Sequence, residues 1–243
     1  EAAERSGRLD RALELRRRQV DLAGAMVARP NSDREFLRQQ SVGRQRLAGL
    51  YVQQGKLAEA ERHFQLALGE HRILNKTEAS NVDWALNDAN SRLNYAALLL
   101  LKGEVPAADA LVRAGCATIE RIYRRDPAVE KVRINDQVSC LLGRARVAAA
   151  RGDLAGGARL AAQAASLVRL ELGPRTRPSS RFHYARAETL RGVLLAGVGD
   201  QAGAAAAFRA AADRAPPDAG HPQRIATRLL FLQGAGASGP ARQ

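Results

Sequence analysis

Small and apolar residues recur along this chain at fixed distances from a glycine. Five segments share the arrangement: SGRLDRAL at Gly7, QGKLAEAE at Gly55, KGEVPAAD at Gly103, RGDLAGGA at Gly152 and VGDQAGAA at Gly199. These glycines stand 48, 48, 49 and 47 residues apart, a regularity that marks a repeat architecture. Two residues past the glycine come Leu9, Leu57, Val105 and Leu154, with Gln201 as the exception. Five past it the residue is small every time: Ala12, Ala60, Ala108, Gly157 and Ala204. Nine past it come Arg16, Phe64, Val112, Ala161 and Phe208, and seven before it Ala48, Ala96, Ala145 and Gly192.

Offsets of +2, +5, +9 and +12 from the glycine follow one face of a helix. Small side chains at fixed places let two helices cross closely, with Phe64 and Phe208 filling the space beside the crossing. Each glycine then falls between two helical runs, where a residue without Cβ most easily takes a positive φ. One unit is therefore a helix, a glycine turn and a second, antiparallel helix. Between units, Pro30, Pro127 and Pro174 interrupt helical hydrogen bonding, and Asn31, Ser32 or Asp33 can cap the helix that follows. The pattern predicts helices near 8–28, 33–53, 57–76, 82–101, 104–125, 128–150, 153–172, 181–197, 200–214 and 222–233. Pro106 sits in the first turn of its helix, where a missing N–H costs little.

The segment AGLYVQQGKLAEAERHFQLAL at 48–68 resembles a tetratricopeptide repeat, with Ala48, Tyr51, Gly55, Ala60, Phe64 and Ala67 at that motif's positions. The chain as a whole is similar to the extended arrays of bacterial multidomain signalling proteins, through segments such as 81–110. Arg16, Gly157 and Gln201 depart from the pattern, and only the last unit has a proline, Pro216, at the usual helix end. The resemblance implies an all-α fold, a right-handed α-solenoid of about ten helices in antiparallel hairpins. A single solenoid over 1–233 is expected: a truncated first repeat, four full repeats and a short capping helix at 222–233, before a flexible tail at 234–243. Only six residues precede Gly7, so the first unit lacks its first helix and the chain reads as a piece of a longer one.

The resemblance also implies a function. Such arrays bind a peptide or a partner helix on the concave face, and the matching groove positions are Gln45, Arg46, Asn90, Asn94, Arg146 and Arg186. Arg and Asn there can hold backbone amides or carboxylates of a bound segment. The family's carboxylate clamp of Lys and Asn is not reproduced, so a chaperone tail is not the expected ligand. The expected role is a non-catalytic interaction or regulatory module, binding a protein segment or restraining another domain of the parent chain, with a cytoplasmic setting.

Charge adds a second reading. There are 38 Lys and Arg against 25 Asp and Glu, a net charge of +13, and only four of the basic residues are Lys. Arg16–Arg18, Arg121/Arg124/Arg125, Arg144/Arg146 and Arg175/Arg177/Arg181 are local concentrations. An acidic protein segment explains this surplus; nucleic acid, held through its phosphates, is the alternative. Against nucleic acid, aromatics constitute 4% of the chain and no nucleic-acid-binding module is recognisable. No apolar stretch is long enough for a transmembrane helix.

Catalytic and ligand-binding signals are sparse. His63 and His71 are eight residues apart, too far for a metal-binding pair on one helix, and His183 and His221 have no ligating neighbours in sequence. No nucleophile motif is present. Gly234, Gly236 and Gly239 formally match a dinucleotide fingerprint, but follow a helix where the fingerprint needs a strand. No cofactor, metal or catalytic residue is therefore assigned. Cys116 and Cys140 fall on consecutive helices, and a turn at Asp126–Pro127 sets 116 opposite about 137, within one turn of Cys140. Two small buried side chains and a bridge both fit; a bridge requires an oxidising compartment. Leu98–Leu101 fits core, groove or a dimer contact equally.

Overall fold

The computed structural model describes residues 9–126, 134–169 and 178–214. These residues are helical throughout, apart from their turns. The helices are α1 (Leu9–Val27), α2 (Arg34–Gln53), α3 (Leu57–Thr77), α4 (Val82–Leu101), α5 (Val105–Arg125), α6 (Ile134–Ala150), α7 (Leu154–Arg169), α8 (Pro178–Gly197) and α9 (Gln201–Arg214). The expected capping helix at 222–233, the tail at 234–243, His221 and the junctions at Pro127, Pro174 and Pro216 lie outside the described residues. Helix α8 is described from Pro178 onward and is already helical three residues before the expected 181.

Four turns join α2 to α3, α4 to α5, α6 to α7 and α8 to α9, and they are built alike. Gly55, Gly103, Gly152 and Gly199 have φ of 74°, 78°, 88° and 86°. The residue after each glycine donates its N–H to a carbonyl five residues back: Lys56 to Tyr51 at 2.9 Å, Glu104 to Leu99 at 2.9 Å, Asp153 to Ala148 at 3.0 Å and Asp200 to Leu195 at 3.0 Å. That bond closes a Schellman motif, which satisfies the last carbonyls of the first helix. A Cβ on any of these glycines would meet no neighbouring atom within 4 Å, so it is the left-handed backbone and not crowding that requires glycine. Asp153 and Asp200 also cap the next helix, accepting from Gly156 N at 2.7 Å and Gly203 N at 2.8 Å. At the other junctions Asp33 accepts from Glu35 N at 2.8 Å and Asn81 from Trp84 N at 3.1 Å.

The small residues sit where the helices cross. Ala12, Ala60, Ala108 and Ala204 are at most 3% exposed, and a Cβ on Gly157 would stand 2.9 Å from the backbone oxygen of Ala145. Gly157 and Ala145 are the +5 and −7 positions of one hairpin, so the sequence period marks the crossing itself. Phe64 is buried and stacks on Tyr95 of α4, ring centroids 5.6 Å apart. Its counterpart Phe208 covers Gly192 but is 41% exposed, because no described helix follows α9 to cover it.

The core runs along the molecule as successive clusters. One gathers Leu86, Leu93, Val112 and Ile119 between α4, α5 and α6; the next gathers Val138, Leu142, Leu190 and Leu194 between α6, α7 and α8. The leucine run divides between clusters: Leu98 packs back onto α2 and α3, and Leu99 packs into its own hairpin. Leu98 and Leu99 are core, at about 1.5–3 kcal/mol per fully buried leucine, and Leu100 and Leu101 pack half-buried against the same two clusters. Cys116 of α5 and Cys140 of α6 form a disulfide across consecutive hairpins, Cα atoms 5.4 Å apart. None of the described helices is long and apolar enough to cross a membrane.

Candidate functional site

Beyond the contacts of each helix with its successor, α2 touches α4, α4 touches α6 and α6 touches α8, giving one row with three seams. All six sequence-derived groove residues lie on this row. Their roles differ, because each seam holds a different polar arrangement.

The α2–α4 seam contains Gln45. Ser91 Oγ donates to Gln45 Oε1 at 3.2 Å and lies 2.9 Å from His71 Nε2. With the serine proton committed to Gln45, the imidazole donates from Nε2, leaving Nδ1 bare, buried and without a partner. Burial drives the His71 pKa down to about 4, with Arg92 adding to the shift and Asp88 opposing it. This is a neutral, internal tie between three helices.

At the α4–α6 seam, Asn90 Nδ2 donates to Asp136 Oδ1 at 2.7 Å, and the Tyr123 hydroxyl donates to Asp136 Oδ2 at 3.2 Å. Asp136 is 7% exposed. Asn90 is therefore occupied in holding the row together, whereas Asn94, one turn along α4, is exposed. Arg46 on α2 is exposed as well.

Arg146 of α6 and Arg186 of α8 lie on the two helices of the α6–α8 seam, near enough for the charge of Arg186 to act on Arg146. Both are partly buried, and Nε of Arg146 is enclosed with no hydrogen-bond partner. The Arg186 guanidinium lies over the Phe182 ring, 5.5 Å from its centroid, and His183 meets Phe182 edge-on at 5.8 Å. Burial, and then the charge of Arg186, lower Arg146 to about 9; burial lowers Arg186 too. Burial followed by the Arg186 charge takes His183 down to about 3. The seam at neutral pH thus holds two cations and a neutral imidazole. A planar guanidinium with unfilled donors is suited to an oxyanion.

Away from the row, a cleft of about 460 Å³ between α1, α2 and α3 is lined by residues including Arg17, Arg44, Tyr51 and His63. Arg17 donates to the Tyr51 hydroxyl from Nε at 3.1 Å and from a terminal nitrogen at 3.0 Å, and Arg44 Nε donates to Glu70 at 2.7 Å. Tyr51 stacks on His63 with centroids 5.4 Å apart. A second cleft, of about 530 Å³, opens where α2 and α4 begin, and Asp33, Glu35, Asp83 and Trp84 line part of it. Among the described residues no group of His, Cys, Asp and Glu has a metal-binding arrangement.

The sequence does not single out Ser91, Asp136, Tyr123 or Phe182, and it offers His71 and His183 only as histidines without ligating neighbours. The signal that finds three of them is the register of the repeat: Ser91, like Cys140, stands twelve residues before a turn glycine, and Asp136 and His183 both stand sixteen before one.

The geometry can be set beside known proteins. No family model matches the sequence, and no curated relative matches it. The fold is similar to the crystal structure of BtubC (BKLC) from P. vanneervenii, with a TM-score of 0.57 and 14% sequence identity, over 99% of this chain and 80% of that one. At that identity the likeness concerns the helical fold alone.

Proposed function

We propose that the chain is a tetratricopeptide-like α-solenoid without catalytic activity, and that the row α2, α4, α6 and α8 is a concave groove for a protein segment. The observation that carries this reading is an asymmetry between rows. Each of α2, α4, α6 and α8 meets its neighbours in the row, while no comparable contact joins α3 to α5 or α5 to α7. A stack of hairpins pinched along one row curves towards that row and leaves an elongated surface there. Asn94, Arg46, Arg146 and Arg186 supply donors along it, while Gln45 and Asn90 hold its floor. The segment belongs to a separate protein or to another domain of the parent chain, and an acidic one complements the charge. The Cys116–Cys140 bridge weighs against the cytoplasmic setting and favours an oxidising compartment.

The test is selection of binders from a displayed library of random peptides, followed by calorimetry of the winners against variants. Binders that lose affinity with Asn94→Ala and Arg46→Ala support the groove; binders indifferent to every replacement along the row sink it.

Nucleic acid is the second reading, favoured by the charge of α6 to α9, whose described residues 134–169 and 178–214 hold ten Arg against five Asp and Glu. Its affinity for mixed-sequence RNA must fall steeply as salt rises. Absence of retention at low salt removes it.

A further inference from the structure

The α6–α8 seam is where the repeat departs from its own pattern. Sixteen residues before the turn glycines the row carries Gln39, Asn87, Asp136 and His183; thirteen before them, Val42, Asn90, Ser139 and Arg186. At the α4–α6 seam these two steps meet as an amide on a carboxylate, Asn90 on Asp136 at 2.7 Å. In α8 the step that held Asp136 holds His183, and the step that held Asn90 holds Arg186. At the step that faces the preceding helix the carboxylate has given way to an imidazole, and three residues further along α8 stands a fixed cation. Helix α6 adds Arg146, near enough for the Arg186 charge to act on it.

Nothing among the described residues balances these two cations. The only acidic residue of α6 is Asp136, taken by Asn90 and Tyr123. Helix α7 has none, and the only one of α8, Glu188, pairs with Arg191 at 3.3 Å. Arg146 Nε and His183 Nδ1 are both enclosed without partners. Phe182 supports one face of the Arg186 guanidinium and leaves its edge donors for an acceptor. A cation with an enclosed, unpartnered donor, as at Arg146, is unfavourable until a counter-charge arrives.

We infer that the α6–α8 seam binds a phosphate monoester, the dianionic group of a phosphorylated serine or threonine. One carboxylate neutralises one arginine and leaves the other charge unmet. A phosphate monoester carries about −1.5 to −2 at neutral pH and presents three acceptor oxygens, enough for both guanidiniums and the imidazole. The phosphate site stands on the seam alone. That the phosphate arrives on a protein segment rests on the groove reading proposed above.

The full chain, labelled with nitrogen-15, is titrated with O-phosphoserine and separately with inorganic phosphate, following the Nε–Hε signals of the arginines. Saturable, joint movement of the Arg146 and Arg186 signals is expected at millimolar ligand; no movement overturns the site. A degenerate peptide pool centred on phosphoserine is then compared with pools centred on serine and glutamate, and a preference of roughly tenfold over glutamate is expected for a dianion held by two arginines. Arg146→Gln and Arg186→Gln remove the response. Since replacing an enclosed arginine can disturb folding, His183→Asp is the second variant: it restores the carboxylate that the preceding helix of the row carries at that step. Its melting temperature should hold or rise while phosphoserine binding is lost. Unchanged binding in His183→Asp and Arg146→Gln overturns the inference, and Arg209→Gln, on the exposed face of α9, must bind normally. Peptides that bind equally with serine and phosphoserine leave the groove standing and overturn the phosphate site. Phosphoserine that moves both arginine signals while no peptide pool binds does the reverse. Single-stranded RNA acting in place of phosphoserine overturns the assignment to a monoester.

Discussion

Ser91 of α4 and Cys140 of α6 occupy the same step of consecutive units, and each ties its helix to the hairpin before it. Ser91 does so through the imidazole of His71 at 2.9 Å, and Cys140 through the sulfur of Cys116. One position in the repeat therefore serves as the fastening between neighbours, with different chemistry each time. The same step holds Gly43, packed against Val20 of α1, and Ala187, which is fully buried.

The His71 tie makes stability depend on pH. Its folded pKa of about 4 lies below the 6.5 of the unfolded chain, so the unfolded state takes up a proton that the folded state refuses. Stability is complete above pH 6.5 and falls as pH drops towards 4, by about 3 kcal/mol from this residue. His183, lowered to about 3, acts in the same direction. Urea unfolding from pH 7 down to 4 checks this. His71→Leu should lower stability at pH 7 and make the pH slope shallower.

Reduction of the Cys116–Cys140 bridge should destabilise the protein by about 2–4 kcal/mol, given the closed loop that separates the two cysteines. Thermal melts with and without dithiothreitol measure the effect. Cys140→Ala should melt at the temperature of the reduced protein and be indifferent to the reductant.

Two glycine-to-alanine replacements should have opposite signs. Gly103 has φ of 78°, so Gly103→Ala forces a side chain into the left-handed region and costs about 1 kcal/mol or more. Gly69 lies inside α3, where a Cβ meets nothing within 4 Å. Gly69→Ala should stabilise by about 0.5–1 kcal/mol. Chemical denaturation of both variants, side by side, gives the comparison.

Asp136 is the acceptor for two helices at once. Asp136→Ala leaves the Asn90 amide and the Tyr123 hydroxyl without it, at a cost of about 2–3 kcal/mol. Amide exchange should then quicken at the facing residues of α4, α5 and α6 before the rest of the molecule. Uniform exchange across all helices would count against this local role.

The hairpins were legible in the sequence because their causes are local. A left-handed glycine with a small residue five places on specifies a turn and a crossing within one unit, as Gly152 and Gly157 show. The proposed groove was legible only as a set of positions. Asn90 was expected to face a ligand, and it faces Asp136 in the next unit. Which residues meet across a seam depends on the shift and rotation between hairpins, and no single-helix period encodes that. The leucine run at 98–101 illustrates the same limit: four identical side chains point by turns at two clusters, and only the stacking decides which. The seam pairs become findable once the repeats are aligned by their turn glycines and columns are compared.

The placement of the one sulfur bridge has a mechanical consequence. An array of hairpins drawn apart from its ends lets go of its members in sequence, like a zip. Cys116 and Cys140 rivet the middle of that zip, so under tension the flanking hairpins must yield while the riveted joint keeps its grip until a reductant cuts it.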